Sequence, residues 1–147
     1  MTTLTTLTTI GYERALLADV IGRLKAAGVK IVIDVRAVAS SRRAGFSKTL
    51  LAASLGEAGI DYRHLRALGT PKAGRQAARA GHTKEMHRIF EAHLQEPAAQ
   101  LALAEAAAIV QGRPSALLCY EAEAAGCHRT IVAHRIVDAL GCEIEDL

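Results

Sequence analysis

The chain has 147 residues, of which 50% are hydrophobic and 22% are charged, with a formal net charge of +3. This length suits one domain over residues 1–147, and this hydrophobicity excludes intrinsic disorder for most of the chain. No apolar run reaches the roughly 18 residues of a membrane span, and residues 1–9 lack the cationic and apolar blocks of a signal peptide. Three Cys without a framework spacing favour a reducing compartment. We therefore expect a cytoplasmic protein that has no membrane partner.

Strand and helix patterns alternate along the chain. Five strands are predicted, at residues 7–10, 30–35, 60–65, 115–120 and 142–147. Helical spacing of apolar residues predicts helices between them, whereas the polar, basic segment 66–81 is expected to be a mobile loop that closes over the site. Strands joined by helical crossovers form parallel βαβ units. We predict a single-domain, Rossmann-like three-layer α/β sandwich whose mostly parallel five-stranded sheet has the order 3-2-1-4-5.

The sequence Gly11-Tyr12-Glu13 after the first strand lacks the glycine-rich dinucleotide fingerprint, and no Walker-type phosphate loop is found. Classical NAD binding and P-loop nucleotide hydrolysis are therefore poor hypotheses, and the sequence identifies no cofactor. In open α/β sheets, ligands bind beyond the carboxyl ends of the strands where the strand order reverses. The predicted order puts this point between the first and fourth strands.

Polar residues gather at the ends of these strands. The catalytic candidates are Asp34, Cys119, Glu121, Cys127 and His128. The ligand-binding candidates are Gly11, Tyr12, Arg36, Ser41, Arg42, Gly69 and Arg129.

Asp34 ends a buried strand, where an unpaired carboxylate is costly. It either orients a ligand or moves a proton, or it forms a structural ion pair with Arg36 or Arg42 that braces the loop 37–46. Glu121 also follows a buried strand and is a candidate general acid or base. Cys119 shares its face and is either a site thiol or a small buried apolar residue.

Cys127, His128 and Arg129 begin a predicted helix. The amides and dipole of a helix N-terminus favour anions and thiolates, so an anion cradle with a reactive thiol or a His acid/base is expected. The alternative is that His128 caps the helix or packs beneath the loop. Cys119, Glu121, Cys127 and His128 could converge on a metal ion. However, Cys119 and Cys127 are eight residues apart, unlike the closer Cys pairs of structural zinc sites, and no metal site is assigned. A Cys119–Cys127 redox disulfide stays open, and Cys142 is expected to serve packing alone.

Six short motifs carry a family resemblance in this order: Thr9-Ile10-Gly11-Tyr12, Asp34-Val35-Arg36 with Ser41-Arg42, Gly59-Ile60-Asp61-Tyr62, Leu68-Gly69, Leu118-Cys119-Tyr120-Glu121 and Cys127-His128-Arg129. Together they resemble the domain of unknown function 488 family. Two positions depart from it, because Ala39 stands where Pro is common and Thr70 follows Gly69 where a second Gly is frequent. The resemblance implies a small single-domain bacterial protein and no established reaction.

Two functions remain open. The first is an enzyme, a hydrolase or group transferase, that acts on a nucleotide, a nucleic-acid component or another phosphorylated small molecule. The second is a non-catalytic nucleic-acid-binding module that uses the basic stretch 63–88. Residues 1–93 hold 15 Lys and Arg against 7 Asp and Glu, while residues 94–147 hold 3 against 8. This asymmetry favours an anionic partner, and a homo-oligomer is compatible with the sequence.

Overall fold

The computed structural model describes residues 6–121 and 127–147. The strands are β1 (Thr6–Gly11), β2 (Ile31–Asp34), β3 (Asp61–His64), β4 (Ser115–Cys119) and β5 (Glu143–Asp146). The helices are α1 (Leu17–Ala26), α2 (Lys48–Glu57), α3 (Lys72–Arg79), α4 (Thr83–His93), α5 (Pro97–Gly112) and α6 (His128–Leu140). A single 3₁₀ turn, Arg66–Leu68, follows β3. In the described ranges, no helix is long and apolar enough to cross a membrane.

The sheet contains five parallel strands, which confirms the predicted α/β class. Its order is β3-β2-β4-β1-β5, so β4 lies between β2 and β1, where the sequence had placed the first strand beside the second. The apolar runs of β1, β2 and β4 show that all three are interior. They do not encode which strand lies next to which, because α1 and its loops are long enough to cross over one strand.

The carboxyl ends of β1 and β4 are still neighbours, with Gly11 opposite Cys119. The predicted position of the ligand crevice between these strands is therefore retained. The observed order also brings the end of β2 against β4, where the Val35 amide donates to the Leu118 carbonyl at 3.1 Å. The residues that follow three strands consequently meet at one point of the sheet edge.

Side chains alternate between the two faces of the sheet, as the pleat requires. Leu7, Ile33 and Leu117 belong to the core beneath α3–α6. Ile10 and Leu118 belong to the opposite core beneath α1 and α2. The sheet is thus covered by helices on both faces, which explains the continuous apolar runs of its central strands.

The prediction that segment 66–81 is a loop is wrong, because residues Lys72–Arg79 form α3. Pro71 immediately precedes α3, and the alanines of α3 are strong helix formers. Gly74 does not break the helix, since it is the buried position where α3 approaches Ile89 of α4. Gly81, with φ +80°, lies beyond the end of α3, where a residue without a Cβ is favoured.

Candidate functional site

A cavity of about 650 Å³ lies at the carboxyl edge of the sheet. Seven predicted site residues line it: Tyr12, Arg36, Ser41, Arg42, Cys119, Glu121 and His128. The cavity is also lined by residues that were not predicted as site residues: Glu13, Thr70, Arg75, Arg79, Met86 and Tyr120. The crevice is therefore built from the ends of β1, β2 and β4, from α3 and from the start of α6.

Asp34 is fully buried and bound by Arg36. Arg36 donates to the carboxylate from its backbone amide at 3.0 Å, from Nε at 2.9 Å and from Nη2 at 2.6 Å. The Tyr62 hydroxyl donates to the same carboxylate. Asp34 is not among the described residues that line the cavity. This geometry supports the structural ion pair, the second of the two interpretations of Asp34.

Arg36 also connects the ion pair to the loop after β2 and to Tyr12. Its Nη1 donates to the Phe46 carbonyl at 2.7 Å and to the Tyr12 hydroxyl at 3.0 Å. Burial alone would lower the pKa of Arg36, but its hydrogen bonds and charge interaction with Asp34 outweigh that effect and raise it. The Tyr12 ring stacks on Phe46 with centroids 4.3 Å apart. Asp34, Arg36 and Tyr12 therefore fix the floor of the crevice.

The loop after β2 supplies Ser41 and Arg42 to the cavity wall. The Ser41 hydroxyl accepts from the Arg43 amide at 3.1 Å, so it organises the loop locally. Arg42 is exposed and reaches the cavity. Gly69 does not line it, and a Cβ there would overlap the backbone of Ala37. The Gly at position 69 is thus explained by close packing of two loops.

Gly11 has a similar structural role at the end of β1. A Cβ at this position would overlap the Glu121 backbone and lie 2.9 Å from Arg129 Nη1. The chain after β4 can therefore cross β1 closely because residue 11 has no side chain. Gly11 positions Glu121, and it is not among the described cavity-lining residues.

Glu121 is half-buried and lines the cavity. Burial raises the pKa of the Glu121 carboxyl, Glu13 raises it further, and Arg129 opposes the change. Its Oε2 lies 3.3 Å from Cys127 Sγ. Burial thus favours the protonated form of this carboxyl more than water does.

Cys119 and Cys127 are buried and form a disulfide in this structure, with their Cα atoms 7.7 Å apart. Cys127 is also the N-cap of α6, where its sulfur accepts from the Arg129 amide at 3.5 Å. Cys127 rather than His128 caps this helix. Cys142 is buried in the core beneath α3–α6, as expected of a packing residue.

Arg129 is fully buried and lies behind the cavity wall. Its Nη1 donates to Cys119 Sγ at 3.0 Å and to the Glu121 carbonyl. Burial lowers the pKa of Arg129, while Asp146 and Glu121 oppose that shift. The described part of the cavity wall does not include Arg129, so the predicted direct contact between this residue and an anion lacks geometric support.

His128 joins α6 to the end of β2. Its Nε2 lies 2.7 Å from the Val35 carbonyl oxygen, and its ring meets Phe90 edge-on with centroids 5.1 Å apart. Burial lowers the pKa of His128 to about 4, so the ring is neutral at physiological pH. Because a carbonyl only accepts, Nε2 carries the proton and the Nδ1 lone pair faces Cys127 Sγ at 3.7 Å.

The basic wall of the cavity comes from α3, in the segment that the sequence predicted to be a loop. Arg75 and Arg79 are one helical turn apart and both line the cavity. Arg75 Nη1 donates to the Thr70 carbonyl at 2.8 Å, which fixes its guanidinium. The i, i+4 spacing of these two cations was the signal that could have placed them on one face.

A sequence model of the family described as domain of unknown function DUF488 matches residues 16–136. No curated protein and no solved structure matches the chain significantly. The family match covers α1 through most of α6 and thus includes most of the crevice.

Proposed function

We propose a function from the site itself, because the chain belongs to the family of domain of unknown function DUF488 and that name states no activity. The proposed function is an enzyme, a hydrolase or group transferase, that acts on a phosphorylated small molecule such as a nucleotide or a nucleic-acid component. The observation that supports it is a single cavity where Arg42, Arg75 and Arg79 meet Glu121 and His128.

The arginines supply the anion-binding half of this site. Guanidinium groups bind phosphate oxygens through paired, charge-assisted hydrogen bonds. Arg75 is already oriented by the Thr70 carbonyl, whereas Arg42 and Arg79 belong to two different segments. Glu13 and Glu121 line the same cavity. The volume of about 650 Å³ falls within the range of small-molecule sites.

Glu121 supplies the proton-transfer half. Its raised pKa lets the carboxyl exist in both protonation states closer to neutral pH than an exposed Glu does. As a base it takes a proton from water or from an acceptor group that attacks the substrate, and as an acid it returns one to the leaving group. Tyr12 and Arg36 keep the floor beneath this carboxyl rigid, which favours a fixed reaction geometry.

The non-catalytic nucleic-acid-binding alternative has less support. In the stretch 63–88, Arg63 is paired with Glu105, and Arg88 with Glu85. Tyr62, the aromatic residue suited to base stacking, donates its hydroxyl to Asp34. Groups already committed to neighbours in this way are poorly placed to bind nucleic-acid phosphates and bases.

A cytoplasmic location is part of this proposal. The reducing cytoplasm would keep Cys119 and Cys127 as thiols beside Glu121, and the family resemblance implies a bacterial protein.

A turnover screen tests the proposed activity. Reduced protein is incubated with nucleotides, dinucleotides and sugar phosphates, and products are followed by mass spectrometry. We expect turnover of at least one compound and a loss of about 10²–10⁴-fold for Glu121→Gln, the range for removing a general acid or base. Glu105→Gln, which changes an exposed carboxylate, serves as the matched control. Absence of product throughout the panel, or unchanged turnover in Glu121→Gln, would contradict the proposal.

A further inference from the structure

We propose that the reduced chain binds a zinc-type divalent metal ion through Cys119, Glu121 and Cys127. One ligand atom from each of these three residues lies within 4.8 Å of the others. Two sulfurs and one carboxylate oxygen are donor types that zinc uses, and a site with three protein ligands leaves its fourth tetrahedral position to water or substrate. The end of β4 supplies Cys119 and Glu121, and the N-cap of α6 supplies Cys127.

His128 lies beside this set of donors and outside it. Its Nε2–H donates to the Val35 carbonyl at 2.7 Å, which leaves the Nδ1 lone pair 3.7 Å from Cys127 Sγ. The ring therefore contacts one of the three ligands without joining them.

Glu121 and Cys127 are spaced like two ligands of one ion. Glu121 Oε2 lies 3.3 Å from Cys127 Sγ, while an oxygen and a sulfur on one zinc ion would be about 3.5 Å apart. These two donors are thus close to their positions around a shared ion, and the Cys119 sulfur lies within 4.8 Å of both.

The distance between the Cα atoms of Cys119 and Cys127 also suits a shared ion. The Cα atoms of Cys119 and Cys127 are 7.7 Å apart, beyond the roughly 4.4–6.8 Å that disulfides usually span. Two sulfurs on one zinc ion are about 3.8 Å apart, which the wider backbone spacing accommodates in the reduced chain.

Arg129 balances the charge of this set. Its Nη1 donates to Cys119 Sγ at 3.0 Å. Two thiolates and one carboxylate carry three negative charges, which the metal ion and the Arg129 guanidinium neutralise together. The otherwise costly burial of Arg129 beside these groups is explained by that balance. The metal site does not rest on the proposed enzyme activity, and the two uses of Glu121 exclude each other. An ion that binds the Glu121 carboxylate would remove the proton-transfer group and add positive charge to the crevice.

Cobalt substitution tests the site. Metal-free protein with three reduced thiols is titrated anaerobically with Co²⁺. We expect a sulfur-to-cobalt charge-transfer band and the ligand-field bands of tetrahedral cobalt at one equivalent, with loss of both when Zn²⁺ is added. Cys127→Ser and Cys119→Ser should each weaken Co²⁺ binding by about 100-fold or more, since even outer-sphere partners cost 10–100-fold.

Two control variants separate the possible results. Cys142→Ser changes a thiol outside the cluster and should bind Co²⁺ like the wild type. Arg79→Ala should also keep the cobalt spectrum, so failure of the anion site and failure of the metal site are distinguishable. Circular dichroism establishes that each variant is folded. A reduced wild type without tetrahedral cobalt bands would overturn the proposal, as would bands that survive both Cys119→Ser and Cys127→Ser.

Discussion

Asp34 and Arg36 form a buried ion pair at the end of β2, with Arg36 Nη2 2.6 Å from Asp34 Oδ2. The residue alternation of a strand places both side chains on one face, so the pair could be anticipated from the sequence. Its consequence is structural. The carboxylate orients Arg36, and Arg36 in turn holds Tyr12 and the Phe46 carbonyl beneath the crevice.

Asp34→Asn should therefore destabilise the whole domain. The substitution keeps the size of the side chain but leaves the Arg36 charge buried without its partner, a change that typically costs about 3–5 kcal/mol. Urea unfolding followed by circular dichroism measures this loss. Glu105→Gln breaks the exposed ion pair with Arg63 and should cost no more than about 1 kcal/mol. Similar losses in the two variants would show that the Asp34–Arg36 pair is not a structural anchor.

Gly11→Ala should displace the backbone of Glu121, which follows β4 and passes close to Gly11 at the end of β1. The added Cβ overlaps the Glu121 backbone, and overpacking of this kind costs about 1–3 kcal/mol. Gly22→Ala is the matched control, since Gly22 is an exposed position of α1 where an added Cβ would meet only open space. That control should gain about 0.5–1 kcal/mol from its higher helix propensity. Thermal unfolding of both variants gives the comparison, and a Gly11→Ala protein as stable as the wild type would refute the close crossing.

The stability of the protein should fall above about pH 10 because of Tyr62. Burial raises the pKa of this phenol, and its hydrogen bond to Asp34 raises it further. The unfolded Tyr loses its proton near pH 10, while the folded one retains it. The unfolded state then binds fewer protons, so the free energy of unfolding decreases as pH rises.

Urea unfolding between about pH 9 and pH 11 measures this decline. Tyr62→Phe should have a smaller slope than the wild type, because the titrating phenol is gone. Tyr120→Phe changes a more exposed Tyr and should retain the wild-type slope. Equal slopes in the wild type and Tyr62→Phe would contradict the assignment.

The fold class followed from local patterns, because the buried runs at β2 and β4 and the helical spacing around them are encoded residue by residue. The lateral order of β1 and β4 did not follow, since it depends on which crossover passes over which strand. Gly74 favoured the interpretation of segment 66–81 as a loop. A single sequence does not distinguish a loop glycine from a buried glycine that lets two helices approach.

The site was predictable where strand ends defined it. Cys119 and Glu121 line the cavity because parallel strands finish at a common edge, and His128 lines it because α6 begins there. Arg75 and Arg79 were missed with the helix that carries them. Arg129 was predicted as an anion ligand from its position at a helix N-terminus. Its inward rotation toward Cys119 depends on tertiary contacts that the sequence does not display.

The central claim is that the crevice beside α3 binds a phosphorylated small molecule. Isothermal titration calorimetry of the wild type, Arg79→Ala and Arg88→Ala against a panel of nucleotides and sugar phosphates tests it most directly. Arg88 is an exposed α4 residue outside the cavity lining. We predict saturable binding of at least one compound, a loss of about 1.5–3 kcal/mol in Arg79→Ala and no change in Arg88→Ala. Absence of binding by the wild type throughout the panel, or equal binding by all three proteins, would contradict the claim.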